Sequence, residues 1–550
     1  MKDPLLSRRQ LLALPAASPW LATRSGAAVV RRHDERVATL LNQQITDPGS
    51  PWRGASLDQF GLCFPVSASG MLEAFAAAFL HPASRFHRDL ALVERMRLAA
   101  GYLERAQNPQ GNIDLVTTNF NSPPDTAFVV HGVATMGVLA RRAGERELEA
   151  LAEPFLRRAA AALATGGVHT PNHRWVICSA LAQVNELYPH PAWVRRIDQW
   201  LAEGVDIDGD GQYTERSTAI YNAVTNRALV VMAAKLARPE LLEPVRRNLE
   251  CMLYLLHPGG EVVTEISRRQ DAGERGDMGR YWFPLRYLAL RDGDGRFAAL
   301  VHRLEPDHAS LPALMEYPEL NQELPSPAPL PEDFEKHFPE LGIVRLRRGP
   351  VSATIFSGTG RFFALRHGEA VMAGLRVAAA FFGKGQFVPQ RLERSRDGWE
   401  LSQRIEAGYY QPLDPPRRVT PAMWYATQGE RRQSEICQFE YRATVTELRD
   451  GFRVRLQAAG TPGVPVAVEI NFREGGELQG CEPAPDAPQA WLLRGEHGTY
   501  RAGGWQLRFG PGRCEHRYTQ VRGAAAKLPG PSVYVTGFTP FAHTLTFRTG

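Results

Sequence analysis

Three stretches of the chain gather side chains able to do chemistry, and each falls where a run of apolar residues begins or ends. In GGVHTPNHRWVICSALAQV, Asn172 and His173 stand side by side at the start of a predicted helix. Unpaired amides and the helix dipole favour an anionic group at such a place, so it suits a carboxylate. The plainer alternative makes Asn172 an N-cap and His173 incidental. In VDIDGDGQYTERSTAIYNAVTNRALV, the residues Tyr213, Glu215, Arg216, Ser217, Tyr221, Asn222 and Arg227 precede and enter another helix. Ser217 or Thr218 would cap that helix, and Tyr221, a turn further on, would aim its hydroxyl inward or bury it. Asp206, Asp208, Asp210 and Gly211 match the opening of a calcium loop, but the twelfth position is Ser217 instead of a bidentate Glu. No metal or other cofactor is therefore expected.

The third stretch, EVVTEISRRQDAGERGDMGRYWFPLRYLAL, carries Arg268, Arg269, Gln270, Asp271, Arg280 and Tyr281. Adjacent guanidiniums beside an amide and a carboxylate suit an acidic sugar, or else a solvated charged loop. Upstream, GNIDLVTTNFNSPPDTAFVVHG adds Asn119, Asn121, Asp125 and His131 at a further helix entrance. Pro124 fits the first turn of that helix, and Asp125 faces substrate or simply places negative charge near the helix start.

The elements that must hold these residues change character partway along the chain. From 29 to 305 apolar residues recur at three and four, predicting ten to twelve amphipathic helices joined alternately by short turns and longer Gly, Asn and Pro-rich connectors. Stacked hairpins with long loops on one rim predict an (α/α) toroid of about six hairpins. An open superhelix of repeats would show a recurring motif, and none of fixed period is present. Residues 306–339 hold eight prolines and predict a linker that resists helix and sheet. Beyond it, 340–550 alternates with period two in runs such as VSATIF, FRVRLQAA and PVAVEINF, predicting an antiparallel β-sandwich.

Composition narrows the function. The chain has 550 residues, 44% of them apolar, with 64 basic against 59 acidic side chains, which leaves no concentrated basic stripe for nucleic acid. The longest apolar runs, 11–22 and 128–140, are too short or interrupted to cross a bilayer, so no membrane partner is expected. Residues 1–28 open with Arg8 and Arg9 after Ser7, then a weakly apolar run and small residues, which resembles a twin-arginine export signal. That resemblance predicts a periplasmic or secreted protein. Six widely spaced cysteines form no metal pattern, and in an exported chain a Cys481–Cys514 bridge is open.

Helices, a proline-rich seam and then strands, with TPNHRWV followed by YTERSTAIYN, resemble the heparinase II/III-like polysaccharide lyases. The resemblance implies β-elimination on a uronic acid-containing polysaccharide. It implies that Asn172 neutralises the uronate carboxylate while His173 and Tyr221 handle protons, with a tyrosine doing both transfers in some relatives. Asn119, Asn121, Asp125, Tyr213, Arg227, Arg268, Arg269, Gln270 and Tyr281 are expected from their types and places to line the substrate path, and by the same resemblance His367, ahead of Tyr409 and Tyr410, is the residue recruited from the strand half. Relatives often carry Pro or Gly between the Ser and the Tyr and a His after it; here TAI and Asn222 stand there, so Tyr213 competes with Tyr221. Two other functions stay open. A glycoside hydrolase would need an acid pair drawn from Asp125, Glu215 and Asp271. A non-catalytic carbohydrate-binding protein would rely on Trp175, Trp282 and Trp424. The polysaccharide, the direction of attack and the oligomeric state are not set by the sequence.

Overall fold

The computed structural model describes residues 24–485 and 487–549. The chain forms two compact units, one of 24–256 with 260–330 and one of 257–259 with 331–549. Most of the proposed export segment, 1–23, lies outside the described residues. Its last residues, 24–28, are the first turn of α1 (Arg24–Gln43), so the helical unit starts ahead of residue 29.

The first unit is helical. After α1 come α2 (Pro65–Leu80), α3 (Leu90–Ala106), α4 (Pro123–Ala143), α5 (Arg146–Leu163), α6 (Pro171–Leu187) and α7 (Pro191–Leu201). Then follow α8 (Tyr221–Leu236), α9 (Leu242–Tyr254), α10 (Trp282–Asp292), α11 (Gly295–His308) and α12 (Leu311–Glu316). Prolines open α2, α4, α6 and α7, where a missing N–H costs nothing and the fixed φ already suits a helix. The helices form two rows. α2, α4, α6, α8 and α10 pack each against the next, and α3, α5, α7, α9 and α11 each pack behind the helix before them. Helices of the first row are apolar nearly all round, as α2 and α6 show, because they are covered on both sides. α12 packs on α2 and α4, and α1 touches α11 and α12.

A repeated connector delivers the chain to the first-row helices. Before α4 it is a small hairpin, β1 (Ile113–Leu115) with β2 (Asn119–Ser122); before α2, α8 and α10 it is a single bridge, Leu57 with Cys63, Ile207 with Tyr213 and Leu256 with Val262. Gly111 and Gly211 make the turn possible. Both have positive φ, and a Cβ would lie 2.4 Å from the Arg158 carbonyl oxygen in one case and 2.6 Å from that of Arg247 in the other. Amide side chains clamp each turn, Gln107 on the Gly111 carbonyl at 2.7 Å and Asn248 on that of Gly211 at 2.9 Å. The repeat escaped the sequence because it lies in geometry and unequal spacing.

The proline-rich stretch differs from expectation. Pro306 lies inside α11, Pro312 opens α12 and Pro318 opens a 3-10 turn (Pro318–Asn321), all places that tolerate a missing N–H or lie within a turn of the helix end. The one long irregular run of this stretch is 322–332, and a strand already runs over Asp333–Phe338.

The second unit consists of two sheets. One has nine strands in the order Glu482–Pro483, Ala490–Leu492, Ser532–Phe538, Pro465–Phe472, Ala370–Ala379, Phe363–His367, Val351–Phe356, Ile343–Arg348 and Asp333–Phe338. The other has eight, in the order Glu477–Gln479, Gly498–Ala502, Trp505–Gly510, Phe541–Arg548, Gly451–Ala459, Gln433–Leu448, Gly398–Tyr410 and Arg391–Ser395. Pairing is antiparallel except between Ala490–Leu492 and Ser532–Phe538. Leu346, Ile355 and Phe363 from one sheet and Leu401, Tyr441, Val454 and Leu545 from the other belong to a single buried core. Cys481 and Cys514 are free thiols, so the bridge between them does not form.

Candidate active site

The site is built on the starts of α4, α6 and α8 and on the loop 265–271. Thr170, not Asn172, holds the N-cap position of α6, and Asn172 lies within its first turn. That frees the Asn172 amide for another task. Its Nδ2 donates to Glu215 Oε2 at 2.6 Å and to Thr170 Oγ1 at 3.2 Å, while its Oδ1 is buried without a partner among the described residues. Arg269 approaches the other oxygen of Glu215 at 3.4 Å. Burial raises the Glu215 carboxyl above its ordinary pKa, opposed by the Asn172 hydrogen bond and by Arg269.

His173 is buried beside this pair. Its ring meets His169 edge-on at 4.7 Å and Phe128 at 6.3 Å, and among the described residues neither ring nitrogen makes a hydrogen bond. Burial first, then His169, lowers its pKa to about 4, with Asp125 pulling the other way. The imidazole is therefore neutral at neutral pH, with a lone pair available. His169, exposed in the loop before α6, is a member that sequence reasoning missed; its spacing of four from His173 was the available signal.

Tyr221 is the first residue of α8, and Ser217 Oγ accepts its backbone N–H at 3.0 Å. Ile220, however, holds the N-cap position of α8 and no side chain caps it, so neither Ser217 nor Thr218 is the N-cap expected from the sequence; Ser217 braces the turn just before it. The Tyr221 hydroxyl accepts from Gln270 Nε2 at 2.7 Å, and the Arg269 guanidinium lies 4.7 Å from the centre of its ring. Arg269 consequently touches both the Asn172–Glu215 pair and the tyrosine. Asp271 anchors the loop that carries Arg269 and Gln270. It accepts from Ser217 Oγ at 2.9 Å, Ser267 Oγ at 2.5 Å and the Ala219 amide at 3.1 Å. The Arg268 amide meets the Glu215 carbonyl at 3.0 Å, and Arg216 next to it adopts a left-handed φ of 52°, strain stored where the chain turns into the site.

Asp125 stands in the first turn of α4 and accepts from Asn119 Nδ2 at 2.9 Å and Ser122 Oγ at 2.5 Å, close enough to act on His173. Asn119 and Asp125 therefore border the site. Asn121 does not offer its carbonyl to a ligand. That oxygen is held by Asn108 and Asn112 at 2.8 and 3.0 Å, clasping the β1–β2 turn.

Three expected substrate residues of the helical unit are placed elsewhere. Tyr213 is buried, its hydroxyl donating to Asn226 Oδ1 at 2.7 Å, because the bridge that holds it turns the ring inward. Tyr281 is fully buried and donates to the Thr218 carbonyl at 2.5 Å, holding up the turn before α8. Arg227 lies six residues beyond Tyr221, about 9 Å along the helix, with its guanidinium over Phe283 and its field on Glu73, His131 and Glu316. His367, in the second unit, bonds the Gln506 carbonyl at 2.9 Å and lies edge-on to Trp505. In the calcium-like loop, Asp206 Oδ1 is taken by Arg174 at 2.8 Å and Trp175 Nε1 at 3.0 Å.

No protein-family model matches the sequence, and no curated protein matches it. Solved structures do match. The chondroitin AC lyase of Streptomyces coelicolor A3, in complex with chondroitin sulphate, is similar with a TM-score of 0.56 at 15% identity over 99% of this chain and 82% of that one. A Paenibacillus xanthan lyase gives 0.55 at 10% identity, covering 98% of this chain and 59% of that one. A mutant of the heparan sulfate lyase HepC of Pedobacter heparinus gives 0.50 at 12%, covering 95% and 83%. At such identities the likeness is one of fold. A helical first part followed by sheets is the fold this chain shares with polysaccharide lyases.

Proposed function

We propose that the protein is an exported polysaccharide lyase that cleaves a uronic acid-containing chain by β-elimination. The observation that carries the reading is the convergence of the Asn172 amide, the Tyr221 hydroxyl and the Arg269 guanidinium at the starts of neighbouring helices. The two rows of helices support the (α/α) toroid, and the two sheets sharing one core support the β-sandwich. The similar solved structures include enzymes named for chondroitin, heparan sulfate and xanthan, which agrees with an acidic substrate.

The chemistry follows from where charge develops. The proton on carbon 5 of a uronate is α to the carboxylate, so its removal builds charge on the carboxyl group. Arg269 is a donor for that charge, and Asn172 becomes one by exchanging its 3.2 Å bond to Thr170 for the uronate; one well-aimed donor is worth about a hundred- to thousandfold in rate. His173, neutral, takes the carbon 5 proton. The electron pair forms the bond between carbons 4 and 5, the carbon 4–oxygen bond breaks, and the departing oxygen takes its proton from Tyr221. Glu215 positions Asn172. A hydrolase is less well served, because Asp271 accepts from three donors and Asp125 from two.

The test is ultraviolet absorbance of the purified protein incubated with chondroitin sulfate, heparan sulfate, alginate and polygalacturonate. Elimination leaves a conjugated unsaturated sugar, so absorbance should rise with at least one. Reducing ends that accumulate without absorbance would make the enzyme a hydrolase instead.

A further inference from the structure

The second unit holds a groove unlike anything the elimination chemistry uses. A cleft of about 660 Å³ is lined by Arg394, Arg396, Arg453 and Arg455 together with Trp399 and Thr444. A second cleft of about 460 Å³, lined by Arg348 and Arg449, shares Glu447 and Phe452 with it, so the two are continuous. The acids of this region are largely taken. Glu335 accepts from Arg394 at 2.7 Å and from Trp399 Nε1 at 3.2 Å, and Glu447 pairs with Arg348 at 2.8 Å.

Arg396, Arg449, Arg453 and Arg455 have no such partner. Among the described residues they make no side-chain hydrogen bond, ion pair or ring contact, and Asp397 is the one lining carboxylate left for them. Other arginines of the unit behave differently, since Arg442, Arg494 and Arg513 each meet a carboxylate within 3.0 Å. Arg453 and Arg455 are two positions apart on one strand, hence on one face and about 7 Å apart. The register sets hydroxyls on either side of each: Thr446 and Thr546 oppose Arg453, and Thr444 and Thr544 oppose Arg455. Forked guanidiniums interleaved with hydroxyls match a sugar chain that bears carboxylate or sulfate groups.

We propose that this groove is an accessory binding site for an anionic polysaccharide, separate from the elimination site and holding the chain on the enzyme between cleavage events. The place rests on the geometry of the second unit, and the class of ligand rests on the proposed function.

The test compares wild-type protein with Arg453→Ala/Arg455→Ala and with Arg453→Lys/Arg455→Lys in native gels cast with chondroitin sulfate, alginate or neutral dextran. Both arginines are exposed, so the variants should fold, which an unchanged melting temperature verifies. The expected result is retardation by an anionic polymer but not by dextran. The apparent Kd should rise at least threefold in the alanine variant and less in the lysine variant, while the rate on a short oligosaccharide stays unchanged. Retardation that is equal in wild type and alanine variant, or equal in dextran, overturns the proposal. The two readings fail separately. Arginine-dependent retardation without any elimination removes the lyase and keeps the groove, whereas elimination with arginine-independent retardation does the reverse.

Discussion

Replacing Asn172 by Ala tests the site most directly, because the structure gives this side chain two separate consequences. The first is on rate. If the amide stabilises charge on the uronate in the transition state, its loss costs about a hundred- to thousandfold in kcat, equivalent to about 2.7–4 kcal/mol. The second is on stability. Glu215 Oε2 loses a donor at 2.6 Å in a buried setting, and stranding such an acceptor costs about 1–3 kcal/mol. Burial already raises the Glu215 carboxyl, and losing Asn172 removes the leading influence that lowers it, so part of the cost is relieved by protonation. Absorbance kinetics on the best substrate should thus show a collapsed kcat with a melting temperature lowered by only a few degrees. Asn172→Asp should be as inactive, since it sets a second carboxylate against the first. A variant that folds and keeps more than a tenth of the wild-type kcat would refute the role of the amide and, with it, the assignment of the site.

Three further outcomes follow from the same geometry. Tyr221→Phe keeps the ring under Arg269 but removes the proton donor, so turnover should fall at least about a hundredfold with an unchanged melting temperature; near-normal turnover would move the acid elsewhere. Asp271→Ala releases three donors and the loop bearing Arg269 and Gln270, so both thermal stability and kcat should drop, and a stable, active variant would contradict the anchoring role. His33, His131 and His173 are each lowered from 6.5 to about 4, burial being the first cause. Between those values the unfolded chain binds protons that the folded chain does not, so stability falls as pH falls from about 6.5 to 4 and levels below. Melting temperatures across that range check the sign, and the acidic limb of the rate should lie near pH 4 if His173 is the base.

Much of the architecture was legible because it rests on local periodicity. Spacings of three and four set out the helices of the first unit, alternation set out runs such as Val351–Phe356 and Pro465–Phe472, and Pro124 announced the first turn of α4. Chemical type was legible as well, since an amide, an imidazole and a phenol at helix starts already suggested proton transfer beside a carboxylate. What the sequence could not supply is direction. Tyr213 and Tyr221 are equivalent as letters, yet one is turned inward to Asn226 and the other is held by Gln270 from a loop about fifty residues away. Asn121 and Asn172 have the same side chain, but one clasps a turn and the other is aimed by Glu215. Likewise the prolines of 306–339 counted as breakers until their positions at helix starts and near a helix end were known. Residue type and period are encoded within a turn or two of chain, so the sequence by itself determined the elements and the kind of chemistry. Which donor meets which acceptor depends on segments far apart in sequence coming together, and only the tertiary structure decided that.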